Sequence, residues 1–213
     1  VATQDPELRK RLVVEDAATA DFSGLDIALF SAGKTTSLQI APAVAAAGAI
    51  VVDNSSGWRM DPDVPLVVPE VNAHALDRIP KGIVANPNCC AIPLTCVLKP
   101  LHDAAGLVRT RVATYQSVSG AGAQRMERLA AEDPREHDLV MDWSWEGDDS
   151  DEEAKLRAET RKILELPELP ISATCVRVPV LVGHSEAIWV EFEEPLSPAD
   201  ATAILSEAPS VDV

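Results

Sequence analysis

The most constraining feature of this sequence is an alternation of apolar and helix-forming segments in its first quarter. A short apolar segment at 27–30 runs into a small-residue turn at 31–33, and a stretch rich in helix formers follows at 37–47. A second apolar segment covers 49–53. A strand, a glycine turn, a helix and a second strand predict two parallel strands joined by a right-handed crossover.

Two more apolar segments, 66–68 and 82–85, are expected to extend this parallel sheet. Ligands in such sheets bind beyond the carboxyl ends of the strands. The loops 31–36 and 54–59 are therefore candidate binding loops.

The pattern changes after a predicted helix over 92–105. Segment 108–117 alternates polar and apolar residues, which is typical of a strand with one wet face in a mixed or antiparallel sheet. Further strands are predicted at 175–182 and 187–193. Further helices are predicted at 124–132, at 151–166 and from Ser197, and the acidic segment 132–153 is predicted to be irregular. We expect an α/β chain, with a partial Rossmann-type parallel sheet in a first domain (1–89) and an α+β domain with a mixed sheet in a second (90–213).

Composition excludes several classes of function. Lys and Arg number 18 against 34 Asp and Glu, so the formal charge is −16, which argues against binding nucleic acid or an anionic membrane surface. No apolar run reaches the length of about 18 residues that suggests a membrane span, and the N-terminus lacks the apolar core of a signal peptide. The four Cys form no CxxC framework, so we expect reduced thiols and a cytoplasmic protein.

The best candidate for a nucleophile is Cys89, which follows Asn88 where a predicted strand ends and a predicted helix begins. A helix N-terminus carries about half a positive charge, which stabilises a thiolate. The amide of Asn88 is placed to hydrogen-bond an oxyanion or to fix the turn. The alternative is that Cys89 is a small buried residue, as Cys90, Cys96 and Cys175 are expected to be.

A partner for that thiol is His184, which lies in a Gly-His-Ser turn between two predicted strands. A cysteine nucleophile needs an acid or base with a pKa near neutrality, and His meets that need. The alternative is a histidine on a surface loop. The residues Cys89, Cys90 and His102 lack the spacing of zinc ligands, so no metal site is expected.

Other polar residues admit both functional and structural interpretations. Arg177 stands in an apolar strand and needs a carboxylate partner, from the protein or from a ligand. Gln116 is either a polar strand edge or a substrate contact. Glu152 and Lys155 fit a surface pair at the start of a helix. Arg59, in a turn, is a weak candidate for binding an anion.

Several segments resemble the aspartate-β-semialdehyde dehydrogenase family, and they occur in family order over most of the chain. They are Phe30-Ser31-Ala32-Gly33, Val52-Asp53-Asn54-Ser55-Ser56 through Arg59-Met60-Asp61, Val67-Val68-Pro69-Glu70-Val71-Asn72, Ala85-Asn86-Pro87-Asn88-Cys89, Thr114-Tyr115-Gln116-Ser117-Val118-Ser119-Gly120-Ala121-Gly122, Glu159-Thr160-Arg161-Lys162-Ile163-Leu164, and Arg177-Val178-Pro179-Val180 through Gly183-His184-Ser185.

The resemblance implies the reduction of L-aspartyl phosphate to L-aspartate semialdehyde with NADPH, at the branch towards lysine, methionine and threonine. It implies that Cys89 is the nucleophile, next to Asn88, that His184 is the acid/base, and that Gln116 positions the thioacyl intermediate. It also implies a small-molecule substrate, no metal, and a homodimer or homotetramer built through the second domain.

The resemblance assigns the remaining site residues by position. Arg177 matches the residue that binds the substrate carboxylate, Glu152 the one that meets the amino group, and Lys155 and Arg59 the cations that bind phosphate. Residues similar to those that touch the NADP cofactor are Ser31, Gly33, Ser119 and Gly120.

The sequence also departs from the family pattern. It has no opening strand with a Gly-x-x-Gly-x-x-Gly turn, no returning C-terminal helix, and a shorter segment between 132 and 151. Lys34 stands where Gly is common in the family, and Cys90 stands where Ser or Thr is common. These departures predict a fragment or truncated relative that keeps its catalytic residues without tight NADP binding.

Three alternatives stay open at this point. One is an enzyme similar to N-acetyl-glutamyl-phosphate reductase, and another is a non-catalytic homologue that only dimerises. The third, a Cys-His hydrolase, leaves the βαβ segments unexplained.

Overall fold

A computed structural model describes residues 14–213, of which Glu146 is described by its backbone alone. Strand β1 (Ile27–Phe30), helix α1 (Lys34–Ala46) and strand β2 (Ile50–Asp53) form the predicted βαβ unit. Strand β3 (Ile83–Ala85) pairs with β2, and all three strands are parallel in the order β1-β2-β3. The prediction of a parallel sheet in the first half is confirmed. Residues 1–13 of the predicted first domain lie outside the residues that the structure describes.

The prediction of a strand at 66–68 is wrong. Only Leu66 forms an isolated parallel bridge, to Ala85, and Val68 already caps the short helix α2 (Pro69–Asn72). The side chain of Asn72 occupies the backbone groups that a strand would use. Its Oδ1 accepts from the Val68 N–H at 2.8 Å and its Nδ2 donates to the Leu66 carbonyl at 2.9 Å.

The second half contains the predicted mixed sheet. Helix α3 (Ala91–Ala105) leads into β4 (Leu107–Gln116), which is the central strand. Strand β7 (Ile171–Arg177) pairs with β4 in parallel, and β8 (Ser185–Phe192) pairs with it antiparallel. Strand β7 begins earlier than predicted and ends at Arg177, two residues before Pro179, which has no N–H for a ladder.

Shorter elements connect these parts. The segment predicted to be irregular contains a 3₁₀ turn and a small hairpin. The remaining elements are 3₁₀ turns at Ala73–Asp77, Val118–Ala121 and Pro134–Glu136, helix α4 (Ala123–Ala130), strands β5 (Trp145–Glu146) and β6 (Asp149–Ser150), helix α5 (Asp151–Leu164) and helix α6 (Pro198–Ser206). Ser197 caps α6 as predicted, with its side chain accepting from the Asp200 N–H.

Helix α5 starts at a capping box. The Ser150 hydroxyl accepts from the Glu153 N–H at 3.3 Å, and the Glu153 carboxylate accepts from the Ser150 N–H at 3.5 Å. These two bonds satisfy backbone donors at the helix start. They also fix the first turn of α5, from which Glu152 projects.

One core joins the two sheets through α3 and α5, which pack against each other. Leu94 and Leu98 of α3 are fully buried, as is Leu156 of α5. Ile163 and Leu164 of α5 are buried on the same side of the helix as Leu156. Because this core is continuous, the loop after β3 is held beside the carboxyl end of the central strand β4. Within residues 14–213, no helix has the length and apolar character needed to cross a bilayer.

Candidate active site

Cys89 lies in the turn between β3 and α3, and Asn88 fixes this turn. The Asn88 side-chain oxygen accepts from the Cys90 N–H at 2.8 Å, and its carbonyl accepts from the Ile92 N–H at 3.2 Å. The thiol of Cys89 is exposed, whereas Cys90, Cys96 and Cys175 are buried as predicted. The interpretation of Cys89 as a buried core residue is therefore wrong.

His184 is in contact with that thiol. Its Nε2 lies 3.2 Å from the Cys89 sulfur, so it is not a free surface-loop histidine. Its Nδ1 accepts from the Ser117 N–H at 3.1 Å. Since a backbone N–H can only donate, this bond keeps Nδ1 unprotonated and places the ring proton on Nε2, facing the sulfur.

The surroundings favour the thiolate of Cys89. The neighbouring Cys90 thiol, and then His184, lower the pKa of Cys89 to about 4, although burial opposes this shift. In return, Cys89 raises the pKa of Cys90 and that of His184. The site therefore contains a thiolate and a histidine proton at hydrogen-bonding distance.

A cavity of about 430 Å³ opens in front of Cys89. Its lining includes every other residue predicted to be catalytic or to bind substrate, apart from His184. These residues are Asn88, Gln116, Arg177, Glu152, Lys155 and Arg59. Residues from five separate parts of the chain thus converge on one space.

Glu152 is a cavity residue and not a surface residue. It is 8% exposed, and its Oε1 accepts from the Asn88 Nδ2 at 2.8 Å and from the Gln116 Nε2 at 3.4 Å. The surface-pair interpretation of Glu152 and Lys155 is therefore wrong for Glu152, although Lys155 Nζ lies 3.7 Å from its Oε2. Lys155 bonds more closely to Asp151, at 2.8 Å, and is partly exposed.

Arg177 is 5% exposed, yet its guanidinium is only partly satisfied. Its Nη1 donates to the Ser117 carbonyl at 2.9 Å, and its plane lies over the Trp143 ring at 4.4 Å from the ring centre. Among the described residues, Nε has no hydrogen-bond partner, and Asp142 is 3.9 Å away. The carboxylate that the sequence predicted for this residue is thus not supplied in full by the protein.

Arg59 is held more firmly. It donates to the carbonyls of Asn86 and Asn54 at 2.9 and 3.0 Å and to Glu159 Oε1 at 3.0 Å. Sequence reasoning missed the role of Glu159. Its position seven residues after Glu152, two turns along the same helix face, was the available signal.

The predicted cofactor residues fall into two groups. Ser31 and Gly33 are exposed between β1 and α1, and Gly33, with φ of 85°, occupies the cap position of α1. Ser119 and Gly120 lie in the 3₁₀ turn Val118–Ala121, and Gly120 lines the cavity. The cavity lining therefore includes the second group but not the first.

One group of side chains has the composition of a metal site. The sulfurs of Cys89 and Cys90 and the Nε2 of His184 lie within 4.8 Å of one another. Because the Ser117 N–H occupies Nδ1, the proton of the neutral ring sits on Nε2, which is then not a free metal ligand. His102 lies at the other end of α3, where its Nδ1 accepts from the Leu107 N–H at 3.0 Å.

An activated thiol between a parallel βαβ sheet and a mixed sheet places the chain in the class of cysteine-dependent α/β enzymes. Residues 1–79 match the family model described as "Semialdehyde dehydrogenase, NAD binding domain". Residues 98–147 and 142–213 match "Semialdehyde dehydrogenase, dimerisation domain". The chain belongs to the semialdehyde dehydrogenase family.

Individual relatives agree with this assignment. The aspartate-semialdehyde dehydrogenase of Streptomyces akiyoshiensis is 47% identical over 95% of this chain and 69% of its own length. Aspartate semialdehyde dehydrogenase II from Vibrio cholerae, complexed with ASA, has a TM-score of 0.87 and 37% identity over 92% of this chain and 64% of its own. The enzyme from Candida albicans, with NADP, has a TM-score of 0.77 and 28% identity, covering 97% and 62% of the two chains. The chain thus spans about two thirds of these relatives.

The lowered pKa of Cys89 predicts an unusual pH dependence of alkylation. Between pH 6 and pH 8 the thiolate fraction of a free cysteine rises about 80-fold, because its pKa is about 8.5. We expect the rate of Cys89 with iodoacetamide to rise less than about tenfold over this range, since its thiolate is already formed. The rate is followed by mass spectrometry of the native protein. Cys89→Ser is the control, and rapid labelling of that variant at pH 6 would contradict the assignment.

Proposed function

We propose that this chain carries the catalytic site of an NADP-dependent aspartate-semialdehyde dehydrogenase, which reversibly converts L-aspartyl 4-phosphate to L-aspartate 4-semialdehyde. The observation that carries the proposal is the Cys89–His184 contact of 3.2 Å at a cavity lined by Arg177, Glu152 and Lys155. A nucleophile, a proton donor and groups for both ends of a small dianionic substrate meet in one place.

The substrate is held by complementary charges. The Nε of Arg177, which has no partner in the described part of the chain, suits a carboxylate, for which an arginine offers two parallel N–H groups. Lys155 and the remaining N–H groups of Arg59 suit the phosphate. Glu152, a buried carboxylate, suits an ammonium group.

The chemistry follows from these positions. The Cys89 thiolate attacks the acyl carbon, and the bond from that carbon to the phosphate oxygen breaks. Phosphate departs, and the acyl group remains bound to the Cys89 sulfur as a thioester. NADPH, when bound, supplies the hydride that reduces this thioester. His184 holds a proton at Nε2 and stabilises the sulfur as the carbon–sulfur bond breaks and the aldehyde is released. Gln116, which bonds to Glu152 and Thr114, is held at the same wall to position the acyl group.

The start of α1 fits an anionic cofactor. Within residues 14–213, no side chain caps this helix; its first turn has no acidic residue, and Lys34 is its first residue. An uncapped helix N-terminus offers backbone N–H groups and partial positive charge to a phosphate. Ser31 and Gly33 would hold NADP there, and Ser119 and Gly120 would hold its nicotinamide side near the cavity.

Glu152 distinguishes this proposal from the reductase alternative. A buried carboxylate beside the substrate attracts a free ammonium group, whereas the acetylated nitrogen of N-acetyl-glutamyl phosphate is uncharged. The intact contact between Cys89 and His184 argues against a homologue that only dimerises.

We further propose the division of the chain into domains 1–89 and 90–213, which the two family-model ranges support. We also propose a cytoplasmic location, which the four free cysteines support.

Turnover tests the proposal directly. With L-aspartate semialdehyde, NADP and phosphate, we expect phosphate-dependent formation of NADPH, measured by absorbance, and none with Cys89→Ala. N-acetyl-glutamate semialdehyde is the competing substrate and is expected to react poorly. Phosphate-independent turnover, or turnover by Cys89→Ala, would refute the thioester mechanism.

Lys155 and Lys99 form a matched pair for testing the phosphate site. Both are helical lysines bonded to an aspartate four residues away, and their side chains are 34% and 32% exposed. We expect Lys155→Ala to raise the KM for phosphate about tenfold or more, because a charge-assisted hydrogen bond is lost. Lys99→Ala, remote from the cavity, is expected to leave this KM unchanged. Equal effects of the two substitutions would remove Lys155 from the phosphate site.

We also propose that the chain forms a homodimer, or a homotetramer built from it, through the open face of the mixed sheet. Trp189 on this face is 48% exposed. The Arg111 guanidinium lies over its ring, 4.7 Å from the centre of the Trp189 ring. Tyr115 is exposed on the neighbouring strand. The match to a dimerisation domain supports this proposal.

Sedimentation of two tryptophan variants tests the interface. Trp189→Asp is expected to shift the protein to monomer, because a buried interface does not tolerate an unpaired charge. Trp145→Asp, with the same 48% exposure but located on the β5–β6 hairpin, is expected to stay associated. A monomeric wild-type protein, or association unaffected by Trp189→Asp, would refute this interface.

A further inference from the structure

Behind the nucleophile lies a buried acidic side chain that the proposed mechanism does not use. Glu186 on β8 is the direct partner of Thr114 on β4, and Thr114 is the direct partner of Cys175 on β7. Directly paired residues project from the same face of a sheet. Glu186, Thr114 and Cys175 therefore form a row, and Cys175 lies in the same buried core as the fully buried Cys90 at the start of α3.

The carboxyl group of Glu186 is poorly satisfied. Both of its oxygens are buried, and neither has a hydrogen-bond partner within residues 14–213. A buried carboxylate without partners is costly, and native structures rarely retain one without a role. Burial raises the pKa of Glu186 to about 7, against an opposing effect of the Cys90 thiol.

We propose that Glu186 is a positioning residue for the nucleophile and acts through the thiol of Cys90. The neutral carboxyl donates its O–H towards the Cys90 sulfur, which leaves the Cys90 S–H directed at the Cys89 thiolate. When Glu186 ionises, the carboxylate accepts the Cys90 S–H instead, and Cys89 loses a donor. The only proton released is the one that Glu186 gives to water.

The groups around Glu186 make this arrangement sensitive to its charge. His184, on the loop before β8, lowers the pKa of Glu186, and Cys89 raises it. Cys90 at the start of α3 and Cys175 on β7 are the other titratable groups that interact with it, and Glu186 raises the pKa of each thiol. The Cys90 sulfur also lies within 4.8 Å of the Cys89 sulfur, so Cys90 is the group that can connect the carboxyl to the nucleophile.

The test measures how the alkylation rate of Cys89 with iodoacetamide changes with pH. In the wild type we expect a step upward of about threefold near pH 7, because a thiolate that loses one donor gains about one pKa unit and its nucleophilicity follows with a Brønsted slope of about 0.5. Glu186→Gln keeps a donor and cannot ionise, so this step is expected to disappear. Any step due to His184 remains in both proteins.

Two further variants and a spectroscopic measurement exclude a merely structural role. Glu191→Gln changes a partly exposed carboxylate on the same strand, paired with Arg109, and is expected to keep the wild-type profile. Cys90→Ala removes the connection and is expected to shrink the step while raising the pKa of Cys89 by about one unit. The infrared band of a buried neutral carboxyl is expected at pH 6 in the wild type and in Cys90→Ala, and is expected to be absent in Glu186→Gln.

A step that persists in Glu186→Gln, or keeps its full size in Cys90→Ala, would overturn the inference. The inference relies on the proposed function only in taking Cys89 as the nucleophile. Alkylation reads the thiol without turnover, so an inactive protein with the expected profile would refute the enzyme proposal and leave this one standing.

Discussion

The buried carboxylate of Glu159 fastens helix α5 to both loops that carry the site. Its Oε1 accepts from Arg59 at 3.0 Å, its Oε2 accepts from the Asn88 N–H at 2.6 Å, and it is 1% exposed. Burial raises the pKa of Glu159, whereas Arg59 and the Asn88 N–H lower it. Removing one partner from such a buried pair typically costs about 3–5 kcal/mol, because the other charge stays buried and unpaired. The position of Cys89, one residue after Asn88, depends on this carboxylate.

Asn88 transmits that constraint to the chemistry. Its backbone is tied to Glu159, its side-chain oxygen orients Cys90, and its side-chain nitrogen donates to Glu152. One asparagine thereby connects the nucleophile turn, the buried helix start and the substrate-facing carboxylate. The second anchor is the Ser117 N–H, which orients His184 and so sets which ring nitrogen faces the sulfur. The nucleophile turn is held by the bond from the Asn88 N–H to Glu159 of helix α5, and the proton donor is held by the N–H of Ser117, directly after β4.

Local signals predicted most of the fold. The βαβ unit, the alternating strand β4 and the Ser197 cap all depend on residues within a few positions of one another, and each was confirmed. The prediction of a strand at 66–68 failed because the Asn72 side chain competes with the sheet for backbone groups. The pattern of apolar residues gives no sign of this competition. Cys89 and His184 were predicted as partners from their chemistry and from the family resemblance, because no local pattern can show a contact that spans 95 positions. Glu159 and Glu186 were missed because a buried glutamate in an amphipathic segment has the pattern of a surface residue.

The formal charge of the cavity lining is opposite in sign to the net charge of the chain. The chain has a formal charge of −16, which repels anionic substrates at long range. The cavity lining, however, includes the three cations Arg59, Lys155 and Arg177 against Glu152 and the thiolate of Cys89, so its formal charge is 3 − 2 = +1. At physiological ionic strength the Debye length is about 8 Å, so distant surface carboxylates are largely screened at the site. Within the partly buried cavity the nearby cations are screened much less, and they decide which ligands bind.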